Sequence, residues 1–171
     1  MATRNKGRSS AEPVFTTQKN HLLESSIVDG LAFSWSNATY NYTAADTILA
    51  VQNTSTTHNL HIDQIWCHGD TTTRVIVHAT SEDGFTIAGT TVTGVNLNRA
   101  SSNTASATAK ADETGNTQGN IIWAGSIPAD NATPVAIGLG VILDLNDVIA
   151  VDFTDVGGEA LVTIIGHYER A

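Results

Sequence analysis

The sequence lacks several features that would place it in common functional classes. It has one cysteine, Cys67, among 171 residues, so no disulfide can form within the chain, and stability must come from packing or from neighbouring subunits. No apolar run reaches the length of a membrane span. The N-terminus carries charges with no apolar stretch behind them, which argues against a secretory signal. Synthesis in a cytosol is the simplest expectation.

Charged residues are also scarce, at 15% against 41% hydrophobic residues, where about a quarter is usual. Thr, Asn, Ser, Ala and Gly take their place. Thr and Val favour strands, whereas Asn and Gly favour tight turns. A chain of this length suits one domain with a substantial core. The composition therefore predicts a single all-β domain.

The charges are unevenly distributed along the chain. Residues 1–20 carry four basic and one acidic side chain, a net +3, whereas the rest carries 4 basic and 16 acidic groups, a net −12. An acidic body argues against nucleic-acid binding by the domain. The first 25 residues show almost no apolar periodicity and need a partner to be ordered. We predict an extended, basic N-terminal arm over residues 1–25 that contacts a partner subunit through Arg4, Lys6, Arg8, Val14, Phe15, Lys19, Leu22 and Leu23.

From residue 26 to residue 171, short apolar runs alternate with turn signals, and no convincing helix is visible. Roughly eight to ten strands at this spacing are typical of a sandwich or barrel. We predict one β-sandwich domain over residues 26–171, of the jelly-roll type, with an up-and-down barrel as the alternative. The strand candidates are residues 46–53, 60–66, 73–79, 90–97, 104–111, 120–127, 135–141, 149–153 and 161–167.

Two of these candidates have one face of very small side chains. In residues 104–111, Ala alternates with Thr, Ser and Lys, and in residues 135–141 large aliphatic residues alternate with Ala and Gly. Residues two apart on a strand share a face. The small faces predict that another group packs closely against each of these strands.

The histidines are the first place to look for a metal site. The sequence has six, and His58, His61 and His68 lie closest together. Cupin metal sites, which also lie in a jelly roll, use His-x-His followed closely by Glu. Here the spacing of three puts His58 and His61 on opposite faces of a strand, and no Glu follows. Surface or partly buried histidines are therefore the favoured interpretation.

Catalytic motifs are also missing. Cys67 and His68 are adjacent, so they point to opposite faces of a strand, and Cys67 is better explained as a small buried hydrophobe. There is no nucleophile elbow, phosphate-binding loop or dinucleotide loop. We predict no catalytic residue, no cofactor and no metal ligand, and hence a protein that is not an enzyme. A metal-dependent jelly-roll enzyme is the least favoured alternative.

Acidic residues form three groups in predicted loops. None has the spacing of an EF-hand calcium loop. Turns between strands attract Asp and Asn in any case, so we expect these residues to stabilise turns. The groups are Asp112, Glu113 and Asn116; Asp144 and Asp147; and Asp152, Asp155 and Glu159.

Three stretches resemble virion proteins of tailed bacteriophages: residues 96–110, 143–153 and 160–169. The Thr/Ala/Asn/Gly-rich, Lys-poor composition is similar too. The resemblance implies a capsid decoration (cement) protein, made in the host cytoplasm and located in the virion. Its expected partners are the major capsid protein or other virion subunits, and its expected state is a homotrimer. A tail or fibre component that binds glycan through loops 112–119 and 128–134 is the alternative.

Overall fold

The computed structural model describes residues 22–38, 40–42, 46–81, 89–114, 119–129, 135–155 and 157–171. Within these residues the chain forms one short helix, α1, over residues 22–28, and twelve strands in two antiparallel sheets. The prediction of an all-β sandwich is therefore confirmed. None of the helical structure in these ranges is long and apolar enough to cross a membrane.

Most strands form where short apolar runs between turn signals predicted them. The bounds of β3 and β9 coincide with the predicted runs, and most of the other predicted runs overlap a strand within a few residues. The short strands β1 and β2 were not predicted. The strands are β1 (Ala32–Ser36), β2 (Tyr40–Tyr42), β3 (Asp46–Asn53), β4 (His58–Gly69), β5 (Thr73–Thr80), β6 (Thr90–Thr91), β7 (Val95–Asn96), β8 (Ala107–Thr114), β9 (Asn120–Ile127), β10 (Val135–Leu143), β11 (Val148–Phe153) and β12 (Gly158–Arg170).

The two sheets are built from nested strand pairs. Sheet A has the order β10–β4–β12–β1–β7, with β2 also paired to β12, and sheet B has the order β6–β8–β3–β11–β5–β9. Four antiparallel pairs nest inside one another: β1 with β12, β3 with β11, β4 with β10, and β5 with β9. Strand β10 lies at one edge of sheet A, and β9 lies at one edge of sheet B.

Large apolar side chains fill the space between the sheets. Aromatic pairs meet edge-on, with Tyr42 and Phe153 at a centroid distance of 5.4 Å and Phe33 and Tyr168 at 5.7 Å, a favoured geometry for aromatic rings. The interior is thus a packed core. Its largest fully buried side chains are Trp35, Phe33, Phe153, Ile48, Leu49, Leu60, Ile62, Ile65, Ile127, Leu143, Ile149 and Ile164.

The small face of the alanine-rich segment packs against this core, as predicted. Ala109 and Ala111 are buried in the same cluster as Trp35, and Ala105 and Ala107 pack against it. The strand itself, β8, starts and ends later than the sequence suggested. Small residues are needed here because the Trp35 indole occupies the adjoining space.

The single strand predicted for residues 90–97 is wrong. The segment contains two short strands in different sheets, β6 in sheet B and β7 in sheet A. The chain crosses between the sheets at Gly94, where a Cβ atom would lie 2.6 Å from Nε1 of Trp35. A residue without a side chain lets the backbone pass this close to the indole.

The expected arm boundary at residue 25 falls inside α1, so Leu22 and Leu23 are helical rather than extended. Gly30 ends the helix with φ at 71°. Leu31 N–H donates to Ser26 C=O at 2.7 Å and Gly30 N–H to Ile27 C=O at 3.0 Å, the two bonds of a Schellman motif. A helix of about two turns has too few residues to show a clear period in the sequence. Residues 1–21 of the predicted arm lie outside the described residues.

Asn53 joins three segments at one end of the sandwich. Its fully buried side chain donates to the carbonyls of His58 and Leu143, both at 3.0 Å, and accepts from Ser55 N–H at 3.0 Å. It therefore holds the ends of β3, β4 and β10 together. Buried backbone groups need a hydrogen-bond partner, and the Asn53 side chain provides one for each of these two carbonyls and this N–H.

We expect Asn53→Ala to lower the free energy of unfolding by roughly 3 kcal/mol, because two carbonyls and one N–H lose their buried partner. Urea denaturation followed by circular dichroism measures this. Asn120→Ala, at an exposed site on β9, is the matched control and should change stability by less than about 0.5 kcal/mol. Equal stability of the two variants would contradict a structural role for Asn53.

Candidate functional site

Two of the predicted arm residues can be placed. Leu22 and Leu23 lie at the start of α1, where Leu22 is exposed and Leu23 is half-buried. Leu22 borders a cavity of about 210 Å³ that also contacts β4, β10 and β12. The other six predicted arm residues, Arg4, Lys6, Arg8, Val14, Phe15 and Lys19, lie outside the described residues.

The structure does not group His58, His61 and His68. His58 instead contacts the Thr57 hydroxyl through Nδ1 at 2.8 Å. His61 is paired in register with His167 of β12, the neighbouring strand. The group that forms around His61 therefore involves residues from the far end of the sequence.

Two His-x-acid pairs lie side by side on the outer face of sheet A. His61 and Asp63 belong to β4, and His167 and Glu169 belong to β12. Residues two apart on a strand share a face, and the register places the two histidines directly opposite each other. Their rings stack with centroids 5.1 Å apart and planes at 24°. We call these four residues the histidine–carboxylate cluster.

A β-bulge brings Asp63 into this cluster. The β12 partners change from Gln64 for Ile165 to Ile62 for Gly166, so Asp63 is an extra residue on β4. Before the bulge, Leu60 and Ile62 face the core, and after it Ile65 and Cys67 do. Bulges commonly redirect a side chain in this way. Here the bulge leaves the Asp63 carboxylate on the outer face, beside His167.

Both imidazoles face the same carboxylate. His167 Nε2 lies 3.3 Å from Glu169 Oε1, and His61 Nε2 lies 3.4 Å from Glu169 Oε2. On its other side, His167 Nδ1 donates to Asp63 Oδ2 at 2.8 Å. The His167 side chain is 4% exposed, whereas that of Glu169 is 35% exposed. The cluster thus has a buried histidine at its base and an opening to solvent beside Glu169.

The pKa values of the two histidines are shifted in opposite directions. For His167, burial lowers the pKa, but the hydrogen bonds and charges of Asp63 and Glu169 outweigh it and raise the pKa overall. For His61, burial lowers the pKa, and the attraction of Glu169 does not fully compensate. The cluster therefore pairs a readily protonated imidazole with one that favours its neutral form.

Sequence reasoning missed this cluster because it sought ligands within one stretch. The available signal was the repetition of His-x-acid, in His61-Ile-Asp63 and in His167-Tyr-Glu169. Each pair alone is unremarkable. What joins them is the β4–β12 register, which composition and periodicity do not specify.

A second polar network lies buried in sheet B. The Gly119 N–H donates to His78 Nδ1 at 3.0 Å, so Nε2 carries the proton and donates to Asp152 Oδ2 at 3.1 Å. Asp152 Oδ1 accepts from the Thr47 hydroxyl at 2.8 Å. The Thr47 hydroxyl therefore donates to a carboxylate, whereas an activated nucleophile would donate to a base such as imidazole. The network satisfies buried polar groups and links β3, β5 and β11.

The expectation that acidic residues stabilise turns is confirmed for Asp144 and Asp147, but it is wrong for Asp152 and Glu159, which lie within β11 and β12. Asp147 Oδ2 accepts from Asp144 N–H at 3.1 Å, and Asp144 Oδ1 accepts from Leu145 N–H at 2.7 Å. Asp155 Oδ2 accepts from Arg74 N–H. These carboxylates stabilise turns. The side chains of Asp112, Glu113 and Asn116 lie outside the described residues.

The side of the sandwich formed by β9 and β10 is open and apolar. Among the described residues, β9 pairs only with β5 and β10 only with β4. Two large apolar side chains flank this side: Ile121 on the outer face of sheet B is 53% exposed, and Ile142 on the outer face of sheet A is 54% exposed. A methyl group placed at Gly138 would meet no atom within 4 Å, so the described residues do not supply the close packing predicted for this small face. We call this surface the open side.

Comparison with known proteins adds no relative to this picture. No family model matches the chain, and searches of the curated proteins and of the solved structures found no significant match. The resemblance to virion proteins therefore remains a prediction. The function must therefore be inferred from the chemistry and the surfaces of the chain.

The single cysteine lies inside the core, not on the outer face with His68. Cys67 is fully buried, and this burial raises the pKa of its thiol to about 12. The thiolate is the reactive form of cysteine. Burial therefore makes Cys67 a packing residue, as the sequence predicted.

We expect Cys67 of the native chain to resist an aromatic disulfide reagent at pH 8, because the thiol is both inaccessible and protonated. In guanidinium chloride, one thiol per chain should react at once. The absorbance of the released thiolate measures both rates. Rapid reaction of the native chain would show that Cys67 is accessible.

Proposed function

We propose that this protein is a structural subunit of a larger assembly, and that the assembly is a virion in which it acts as a capsid decoration protein. We infer that its sandwich is a jelly roll, because the nested pairing of first strand with last is the pattern of one long hairpin rolled into two sheets. Jelly rolls occur in viral capsid proteins, lectins and cupins. The packed core favours the first of these, since a cupin uses its interior.

The open side is the observation that carries the proposal. An exposed sheet edge with apolar side chains is a template for pairing with another chain, and soluble proteins usually protect such edges with charge or proline. Neither β9 nor β10 contains a charged residue or a proline. Two adjacent unprotected edges on one side of the sandwich are expected of a surface that a partner covers.

A second copy of the same chain fits this surface best. Each copy carries a net charge of −9, so two copies repel each other unless they meet where charge is absent. The open side provides such a surface. If β9 of one copy meets β10 of the next around an axis, the contact is heterologous and closes into a ring. A homotrimer, which the resemblance to virion proteins implies, is one such ring.

The basic arm supplies a different contact. Residues 1–20 of the arm carry a net charge of +3, which complements an acidic protein surface. The arm enters the sandwich through α1, which lies beside β10 at the cavity bordered by Leu22. We propose that it extends to the major capsid protein, while the open side joins copies to one another. Repeated weak contacts of both kinds give avidity without a deep pocket.

We expect Ile121→Lys and Ile142→Lys each to convert the oligomer to a monomer, because a charge then enters an apolar contact. Sedimentation velocity over a range of concentrations measures the assembly state. Val95→Lys is the matched control, since Val95 is 48% exposed on β7, at the opposite edge of sheet A. A wild-type chain that stays monomeric, or equal disruption by Val95→Lys, would contradict self-association through the open side.

A second experiment tests the capsid contact alone. We expect replacement of Arg4, Lys6, Arg8 and Lys19 by Gln to abolish cosedimentation with capsids lacking the chain, because the charge attraction is lost. The oligomeric state should not change, and binding by the wild type should weaken as salt rises. Undiminished cosedimentation of the neutral variant would rule out the arm as the capsid contact.

A further inference from the structure

We propose that the histidine–carboxylate cluster is a binding site for a divalent transition-metal ion, with Zn²⁺ as the representative ion. The proposed ligands are Nε2 of His61, Nε2 of His167 and the carboxylate of Glu169. Two imidazoles and one carboxylate are donors that zinc commonly takes in proteins. The site is independent of the proposed assembly role, since it rests on three side chains of one copy.

Two contacts in the cluster have the spacing of ligands around a bound ion. His167 Nε2 lies 3.3 Å from Glu169 Oε1, and His61 Nε2 lies 3.4 Å from Glu169 Oε2. Ligands about 2.0–2.1 Å from a tetrahedral zinc are separated by roughly 3.3 Å. The three candidate ligand atoms all lie within 4.8 Å of one another. Binding one ion then requires the two stacked imidazole rings to tilt toward a shared point.

Asp63 acts as a positioning residue in this proposal. Its carboxylate holds His167 Nδ1 at 2.8 Å, which turns Nε2 toward Glu169. Metal-binding histidines almost always donate their second nitrogen to a carboxylate, a carbonyl or water in this way. The β-bulge that places Asp63 here thus serves the ligand geometry directly.

The cluster is accessible yet sheltered. The side chain of Glu169 is 35% exposed and that of His61 is 23% exposed, so an ion can enter from solvent beside Glu169. On the Asp63 side of the two histidines lies a cavity of about 210 Å³, which is also lined by Leu22, Leu139 and Ile142. These apolar side chains shelter that side of the histidines from bulk water.

The test uses the full-length chain after treatment with a chelator. We expect isothermal titration with ZnCl₂ to give saturable binding at one ion per chain. CoCl₂ should give the intense visible bands of a four-coordinate ion. Glu169→Gln and His61→Asn should each weaken zinc binding by at least about ten-fold, because each removes one ligand. Circular dichroism without metal verifies that both variants are folded.

His68→Asn is the matched control, because His68 lies on β4 outside the cluster. It should leave zinc affinity and the cobalt spectrum unchanged. Saturable binding lost in both ligand variants and retained in the control supports the site. No saturable binding to the wild type, or equal weakening by His68→Asn, would overturn it.

A separate variant tests the positioning role. Asp63→Asn should weaken zinc binding by about ten- to hundred-fold, while the cobalt complex, once saturated, keeps its four-coordinate spectrum. Asp63→Glu should restore part of the affinity. A purely structural role would instead change the stability of the zinc-free chain and leave the zinc affinity unaltered.

Discussion

The pairing of β4 with β12 is the interaction on which the rest of the structure depends. These are the two longest strands, and their register runs from Ala160 opposite Gly69 to Arg170 opposite His58. On the inner face this register sets Ile65 beside Ile164 at the centre of the core. On the outer face it sets His61 beside His167. One set of backbone hydrogen bonds therefore positions both the core and the histidine–carboxylate cluster.

The β-bulge in β4 allows this register to serve both faces. Without the extra residue, strict alternation would point the core side chains of one half of β4 toward solvent. Gly166 faces the bulge, where a Cβ atom would lie 2.5 Å from the His61 carbonyl oxygen. Close approach of the two backbones is thus possible only without a side chain at this position. A glycine and an inserted aspartate together decide what the outer face presents.

The sequence contained enough information to predict most strands but not their partners. The short apolar runs in residues 46–53 and 120–127 mark β3 and β9 because each run and its polar boundaries lie within one local segment. The phase change between Ile62 and Ile65 was also visible, and it marks the bulge. By contrast, whether His61 meets His68 or His167 depends on long-range pairing, which local pattern does not determine.

Burial was predictable only where it depends on local composition. The alanine face of residues 105–111 implied a bulky neighbour, and the core with Trp35 provides it. The bare face of β10 implied a neighbour as well, yet the described part of the chain provides none. Helix α1 was missed because its end depends on backbone bonds at Gly30 and Leu31 rather than on a repeated apolar pattern.

The open side and the histidine–carboxylate cluster share a boundary. The cavity beside His61 and His167 is also lined by Ile142, which is on the open side, and by Leu22 of α1. A second copy that covers Ile142 would therefore close one wall of the cavity that adjoins the two proposed histidine ligands. Any change in metal affinity caused by that closure must appear equally as a change in the affinity between copies, because coupling between two binding equilibria is reciprocal. Strand β10 would then couple metal binding on the outer face of sheet A to association between copies.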